Sequence, residues 1–227
     1  FMSAYAFQDV LMGIIRKYWA GTPTIYAQHA ALYHPSIRHN LYVDLVTKQI
    51  LGAFDAFHVV NPQDRALFEK WGLKSVNLIP NGVDTARFSG TGARNNPDEF
   101  IVLSVGRLDA QKGVDTLLRA IELFEQEFPA INDIRFQIGG TGPLRNKVEE
   151  FAGMRKSVDY LGFLPDRELP NAYANADLFV MASERETFGI VALEAMSSAV
   201  PVLATDISGP SSFVSSEFGR LVKPHDP

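Results

Sequence analysis

Residues 100–113 read FIVLSVGRLDAQKG, and the predicted fold class depends on their pattern. The first seven residues are a nearly continuous apolar run ending at Gly106, which predicts a β-strand covered by helices on both faces. A loop with Arg107 and Lys112 follows, and a helix is predicted near 114–128. A buried strand that passes through a short loop into a helix is the repeating unit of a parallel α/β sheet.

The same alternation extends in both directions along the chain. Downstream, strands are predicted at 134–140, 158–162, 177–182, 201–206 and 219–222, with helices near 143–152, 166–175 and 189–198. Upstream, strands at 23–28, 56–60 and 75–80 alternate with helices near 6–18, 36–54 and 62–71. The polar stretch SGTGARNNPD (89–98) separates the two series and is typical of a linker. The pattern predicts two Rossmann-like domains with parallel sheets. We expect residues 1–97 to be the later half of an N-terminal domain with a linker near 81–97, and we expect residues 98–227 to be a C-terminal domain that lacks its last part.

Composition limits the classes of function. The sequence has no cysteine, which excludes disulfides and thiolate metal sites. Its net charge of −5 argues against a general nucleic-acid binder. Residues 1–98 carry 9 Lys and Arg against 7 Asp and Glu, whereas residues 99–227 carry 12 against 19. Cations that bind a phosphorylated ligand in the second part would therefore act against an acidic background.

Arg107 and Lys112 are the first candidate site residues. They follow the carboxyl end of a buried strand, where ligands bind in open parallel sheets, and they precede a helix N-terminus, which favours anions. Gly106 and Gly113 allow the backbone to approach a ligand closely. The arrangement suits a diphosphate. Two solvated cations on a surface loop would give the same sequence, and composition alone favours that simpler interpretation.

The second candidate is ERETFGIVALEAM (184–196). In the helix predicted from near Gly189, Glu194 is the single charged residue, and helical spacing puts it on an apolar face. A buried carboxylate needs hydrogen-bond donors, which could be ligand hydroxyls or a structural Arg or Lys. Glu186 precedes the helix and could be either a site residue or a helix cap.

Other motifs carry less weight. GGTGPL (139–144) resembles a dinucleotide-binding turn but has Arg145 where the third glycine belongs, so we expect a tight turn beside the same cleft. His29 closes the strand at 23–28. His34 and His39 have spacing that does not favour a metal site, and neither a P-loop nor an Asp-x-Asp pair is present.

In combination and in order, VGRLDAQKG, GGTGPL, YLGFLP (160–165), ERETFGIVALEAM and PVLATD resemble the donor domain of family 4 retaining glycosyltransferases with the GT-B fold. IYAQHA and LIPNGVDTARF resemble the end of that family's acceptor domain and the junction that follows. The resemblance covers nearly the whole chain. The sequence has no match to the family's glycine-rich acceptor loop or to its C-terminal returning helix. It also has Ser208-Gly209-Pro210 where the family often has paired glycines.

The resemblance implies a role for each matching residue. Arg107 and Lys112, with Gly106, would hold the donor diphosphate, and Glu194 would accept hydrogen bonds from the ribose. Glu186 would contact the sugar, and Leu164 would lie near the base. His29 matches the acceptor-side histidine near the reacting centre, so the implied catalytic set is Glu186, His29, Arg107 and Lys112. The backbone N–H groups near sugar and phosphate would be those of Phe188, Gly189 and Ile190.

The resemblance implies a hexosyltransferase that moves a sugar from a nucleotide-diphosphate sugar to a glycan, lipid or small-molecule acceptor with retention of configuration. No cofactor and no metal are expected. A sugar-nucleotide epimerase of the same fold and a non-catalytic sugar-nucleotide-binding module are the alternatives. We expect a cytoplasmic location, with peripheral membrane contact if the acceptor is a lipid. We expect these 227 residues alone to have little transferase activity.

Overall fold

The computed structural model describes residues 2–3, 7–28, 48–90 and 98–227. The chain divides into two compact units. The first runs to Asn81 and includes the short segment Glu186–Phe188, and the second comprises Gly82–Arg185 and Gly189–Pro227. Both are α/β units with parallel sheets, as predicted. Among the described helices, none combines the length and the apolar character needed to cross a membrane.

The first unit contains a four-stranded parallel sheet in the order β1-β2-β3-β4. The strands are β1 (Met2–Ser3), β2 (Ile25–Gln28), β3 (Ala56–Val59) and β4 (Val76–Leu78), and the helices are α1 (Phe7–Ala20) and α2 (Pro62–Lys70). Strands β2 to β4 lie where the sequence predicted them, whereas the two-residue β1 was not predicted. Most of the helix predicted near 36–54 lies outside the described residues, and residues 48–51 are helical.

The core of the first unit is aromatic. Phe57, Phe68 and Trp71 are buried, and Phe68 packs edge-on against Phe57 with ring centroids 5.5 Å apart. Helix α2 begins after Asn61, whose side-chain oxygen accepts the backbone N–H of Asp64 at 2.7 Å. Pro62 at the first helical position has no N–H to satisfy, which explains the sharp start of the helix.

The second unit contains six parallel strands in the order β10-β9-β8-β5-β6-β7. Counted from β5, this is the 3-2-1-4-5-6 order of the dinucleotide-binding Rossmann fold. The order reverses between β5 and β8, where Val102 pairs with Leu178 and Leu103 with Phe179. The strands are β5 (Phe100–Val105), β6 (Ile134–Gly139), β7 (Val158–Gly162), β8 (Leu178–Met181), β9 (Val202–Thr205) and β10 (Gly219–Val222).

Helices cover both faces of this sheet. The α-helices are α3 (Val114–Glu127), α4 (Arg145–Gly153), α5 (Leu169–Ala174) and α6 (Ile190–Ser197), and the 3₁₀ helices are Ala110–Lys112 and Pro210–Ser212. Alternate residues of β5 serve the two faces, since Val102 packs in the core beneath α3 and α4, and Leu103 packs in the core beneath α5 and α6. This two-sided burial is the reason for the continuous apolar run in the sequence.

The division of the chain lies earlier than the predicted domain boundary at 97/98. Residues 82–90 belong to the second unit because Phe88 is buried in its core, edge-on to Tyr173 at 5.8 Å. Ser197 Oγ also donates to the Phe88 carbonyl oxygen at 2.8 Å. The polar composition of 89–98 suggested a linker, but the described residues 82–90 before and at its start are attached to the second unit through Phe88.

Candidate functional site

A cavity of about 180 Å³ opens at the point where the strand order of the second unit reverses. Its wall is formed by the carboxyl ends of β5, β6 and β8, the loop that follows β5, the start of α3 and one residue of α6. The lining residues include Gly106, Arg107, Lys112, Ala182, Ser183 and Val191. The structure therefore brings together three predicted residues, Gly106, Arg107 and Lys112, at the position where Rossmann sheets bind ligands.

Two glycines hold the loops around this cavity together. Gly113 has φ +66°, and a Cβ built there would lie 1.9 Å from the carbonyl oxygen of Ala182 at the end of β8. Gly140 has φ +137°, and its Cβ would lie 1.8 Å from the carbonyl oxygen of Gly106. Only glycine allows both the backbone conformation and the contact. GGTGPL is thus a turn packed against the 106–108 loop, as the sequence predicted.

Asp109, which was not predicted as a site residue, contacts the side chain of Arg107 and the backbone of Lys112. Its Oδ1 accepts the backbone N–H of Lys112 at 3.0 Å, which begins the 3₁₀ helix. Its Oδ2 lies 2.7 Å from Arg107 Nε. Arg107 remains 69% exposed in its side chain, so its guanidinium is accessible to a ligand. The capping pattern Asp-x-x-Lys was visible in the sequence, but its pairing with Arg107 was not.

Two helices begin near the cavity without a side-chain cap. Helix α3 follows Gly113 and α6 follows Gly189, both in the left-handed conformation, and neither glycine supplies a capping side chain. The first N–H groups of a helix have no partner within the helix and carry its positive dipole end. With Lys112 at the start of α3, the cavity wall offers fixed positive charge to an anion.

Glu194 lies on α6 one turn beyond Val191 and is not among the residues that line the cavity. Its Oε2 accepts a hydrogen bond of 2.9 Å from the hydroxyl of Tyr173. The sequence offered a structural Arg or Lys as one partner for this carboxylate. The observed partner is a tyrosine on α5, which was not predicted because an aromatic residue in such a helix is typical of an ordinary core position.

The surroundings of Glu194 affect its protonation. Burial raises the pKa of this carboxyl above its ordinary value, while the Tyr173 hydroxyl and the positive charge of Arg87 oppose the rise. Asp166 adds a smaller upward contribution. The pKa of Tyr173 is also raised, first by burial and then by Glu194. Tyr173 is therefore a neutral donor, and its hydrogen bond favours the charged form of the acid.

The remaining predicted residues that the structure describes do not line this cavity. Leu164 lies against Gly139 and lines a second cavity of about 460 Å³. Ile190, at the start of α6, is 46% exposed. Glu186 and Phe188 group with the first unit, in which Asn61 Nδ2 donates to the carbonyl oxygen of Thr187 at 3.0 Å. His29 lies outside the described residues.

Comparison with known sequences defines the class of protein. Residues 91–227, more than half of the chain, match the family described as "Glycosyl transferases group 1", so this chain belongs to that family. A D-inositol 3-phosphate glycosyltransferase of Salinispora tropica is 35% identical over 175 residues, which are 67% of this chain and 36% of the relative. A mannosylfructose-phosphate synthase of Agrobacterium fabrum is 31% identical over 159 residues, 61% of this chain and 35% of the relative.

Solved structures confirm the fold. The sucrose-phosphate synthase of Thermosynechococcus elongatus is similar with a TM-score of 0.75 and 27% identity, over 96% of this chain and 59% of that one. HepE of Anabaena, in complex with UDP and glucose, has a TM-score of 0.75 and 21% identity, over 96% and 62%. The GT-B class predicted from the resemblance is thus shown. The chain spans about a third of the length of the curated relatives it matches.

Proposed function

We propose that this chain binds the nucleoside-diphosphate part of a sugar donor, and that the protein it represents is a retaining glycosyltransferase. The observation that carries the proposal is the position of Arg107 and Lys112. Both line the cavity at the strand-order reversal, beside the uncapped start of α3, in a unit whose sequence is otherwise acidic. A cavity of about 180 Å³ is smaller than the roughly 300–1,000 Å³ of complete ligand sites. Its size suits a diphosphate better than a whole nucleotide sugar.

In the proposed transfer reaction, negative charge develops on the leaving diphosphate. During transfer, the bond between the anomeric carbon and the phosphate oxygen breaks, and the leaving diphosphate takes the electron pair. The acceptor hydroxyl forms the new bond to the same carbon and loses its proton. Positive groups placed at the leaving group stabilise this developing charge. In the proposal, Arg107, Lys112 and the N–H groups of α3 do so without a metal ion.

The remaining roles rest on the family resemblance. Glu194 would bind the ribose, Leu164 the region of the base, and Glu186 with Phe188, Gly189 and Ile190 the sugar and phosphate. His29 would act on the acceptor side. The acceptor is a glycan, a lipid or a small molecule. A cytoplasmic location belongs to the same proposal and rests on where nucleotide sugars are supplied. The named relatives are transferases and synthases, which does not favour the epimerase alternative.

A binding experiment tests the diphosphate site directly. Thermal shift with UDP, GDP, ADP and CDP identifies the base, because a ligand at a hundredfold excess over Kd stabilises by about 2.7 kcal/mol. UDP leads the panel because the Anabaena structure contains it. Lys112→Ala is expected to weaken binding about 10- to 100-fold, the effect of losing one charge-assisted contact of about 1.5–3 kcal/mol.

Arg119→Ala is the matched control. It removes one positive charge from α3, but Arg119 is more than half exposed and pairs with Glu122 at 3.2 Å, away from the cavity. Equal affinities in Lys112→Ala and the unchanged chain would contradict the proposed site. Transfer itself is measured in the full-length protein, where Glu194→Gln should lower the rate by orders of magnitude while the fold persists. Normal transfer by that variant would contradict its assigned role.

A further inference from the structure

Tyr173 is the largest of the fully buried side chains described, with 0% exposure. Phe88 contacts its ring from one side at 5.8 Å between centroids, and Phe179 of β8 contacts it at 5.5 Å. Aromatic packing of this kind fixes the position of a ring and therefore the direction of its hydroxyl. The hydroxyl donates to Glu194 Oε2 at 2.9 Å.

The helix that carries Tyr173 is itself held to the sheet. It is followed by Asp177, whose backbone N–H donates to the carbonyl oxygen of Ile101 at 2.8 Å and whose Oδ2 accepts the Ile101 N–H at 2.8 Å. On the other side, Ala192 and Ala195 of α6 are fully buried, so the helix of Glu194 lies close against the sheet. Tyr173 and Glu194 therefore both lie on helices that are packed against the sheet.

One oxygen of the carboxylate is occupied by this bond. In the part of the chain that the structure describes, Oε1 of Glu194 accepts no hydrogen bond, and the residue is only partly buried. We propose that Tyr173 is a positioning residue, whose hydroxyl holds one oxygen of Glu194 and leaves the other oriented toward the ribose hydroxyls of the donor. This inference rests on the proposed function, and it adds a residue that neither touches the donor nor lines the cavity.

A purely structural alternative makes a different prediction. A buried tyrosine hydroxyl needs an acceptor, and Glu194 could serve only that purpose. In that case Tyr173→Phe would change stability and leave ligand recognition unaffected, or would weaken all ligands equally. A positioning role predicts a loss confined to the ribose hydroxyls.

The experiment compares two probes, UDP and 2′,3′-dideoxy-UDP, with the full 227-residue chain by calorimetry. Tyr173→Phe keeps the ring in the core and removes the hydroxyl. It should bind UDP about tenfold more weakly, while its affinity for the dideoxy compound stays within about twofold of the unchanged chain; tenfold corresponds to about 1.4 kcal/mol. The control is Tyr160→Phe, which removes another 2.9 Å hydroxyl bond, from Tyr160 to the carbonyl oxygen of Gly140. It should leave the ratio of the two affinities unchanged.

The pH profile provides a second readout. Among the residues that the structure describes, Arg87 and Asp166 are the other charged groups that act on Glu194. Because the Tyr173 hydroxyl favours ionised Glu194, its removal raises the pKa of that carboxyl further. UDP binding by Tyr173→Phe should therefore decline at a higher pH than in the unchanged chain as the solution is acidified. Tyr173→3-fluorotyrosine keeps the hydroxyl and makes it a stronger donor, so the decline should move to lower pH. This variant also tests the inference if the phenylalanine protein does not fold.

Equal losses for both probes in Tyr173→Phe, or no loss for UDP, overturn the positioning role. If the unchanged chain binds UDP and dideoxy-UDP equally, the ribose contact fails while the diphosphate site stands. If it binds none of the four nucleoside diphosphates, the proposed function itself fails, and the positioning role fails with it.

Discussion

Gly113→Ala tests the close approach between the Lys112 loop and strand β8. An alanine at φ +66° adopts the left-handed conformation, at a cost of about 1–2 kcal/mol. Its Cβ would also lie 1.9 Å from the Ala182 carbonyl oxygen, which is backbone and cannot rotate away. Forced displacement of packed elements costs about 1–3 kcal/mol more. The two effects together predict a loss of about 2–5 kcal/mol in the free energy of unfolding of the second unit.

Two matched variants separate these effects. Gly162 has φ +70° with nothing within 4 Å of a built Cβ, so Gly162→Ala reports the backbone strain alone. Gly153 is the last residue of α4 and also has open space around it, so Gly153→Ala should be neutral or slightly stabilising. The difference between Gly113→Ala and Gly162→Ala measures the displacement caused by the overlap with Ala182.

Calorimetry and far-UV circular dichroism are the suitable assays. Both tryptophans, Trp19 and Trp71, lie in the first unit, so their fluorescence does not report directly on the second. At about 2–4 °C per kcal/mol for a chain of this size, Gly113→Ala should lower Tm by about 4–20 °C and Gly162→Ala by about 2–8 °C. Equal losses in the two variants would refute the close contact between Gly113 and β8.

Three further predictions concern charge. Arg155 pairs with Glu122 at 2.9 Å and Glu125 at 3.1 Å and stacks on Phe151, so Arg155→Ala should cost about 1–2 kcal/mol by urea unfolding. The exposed pair of Arg145 with Glu149 is its control, and a similar loss in Arg145→Ala would contradict this expectation. Burial raises the pKa of Asp64, so its contribution to stability is full below the ordinary Asp pKa and is lost as pH rises through the raised value. Asp64→Asn should therefore stabilise the first unit near pH 7 and lose that advantage in acid, followed by the fluorescence of Trp71; an advantage that persists unchanged at low pH would contradict it. Arg107→Ala should weaken UDP binding, and raising the salt concentration should reduce its effect, measured by calorimetry at two ionic strengths.

The sequence predicted the repeating elements well because burial imposes a pattern on neighbouring residues. The apolar run of β5 shows that both of its faces are covered, and glycines and polar loops mark where strands end. The positions of Arg107 and Lys112 followed from the same rule, since residues just after a strand lie at one edge of a parallel sheet. The bounds of α5 were less well predicted, because its six residues offer little helical periodicity.

Partners that are distant along the chain could not be predicted in the same way. Phe88 lies within the linker predicted near 81–97, but its packing against Tyr173 and its hydrogen bond with Ser197 attach it to the second unit, which begins at Gly82. The hydrogen bond between Tyr173 and Glu194 joins two helices on one face of the sheet. Nothing in either local sequence distinguishes that tyrosine from any other aromatic core residue.

The α/β class, the order of strands and helices, and the cations at the end of β5 could be predicted from the sequence alone, because these depend on local periodicity and chain direction. The tertiary structure decided which strands are neighbours, and so placed Arg107 and Lys112 at the reversal between β5 and β8. It also placed Asp109 against Arg107 and against the backbone N–H of Lys112, and it placed the Tyr173 hydroxyl against Glu194. Those contacts depend on how separate elements pack, a property that no single stretch of sequence contains.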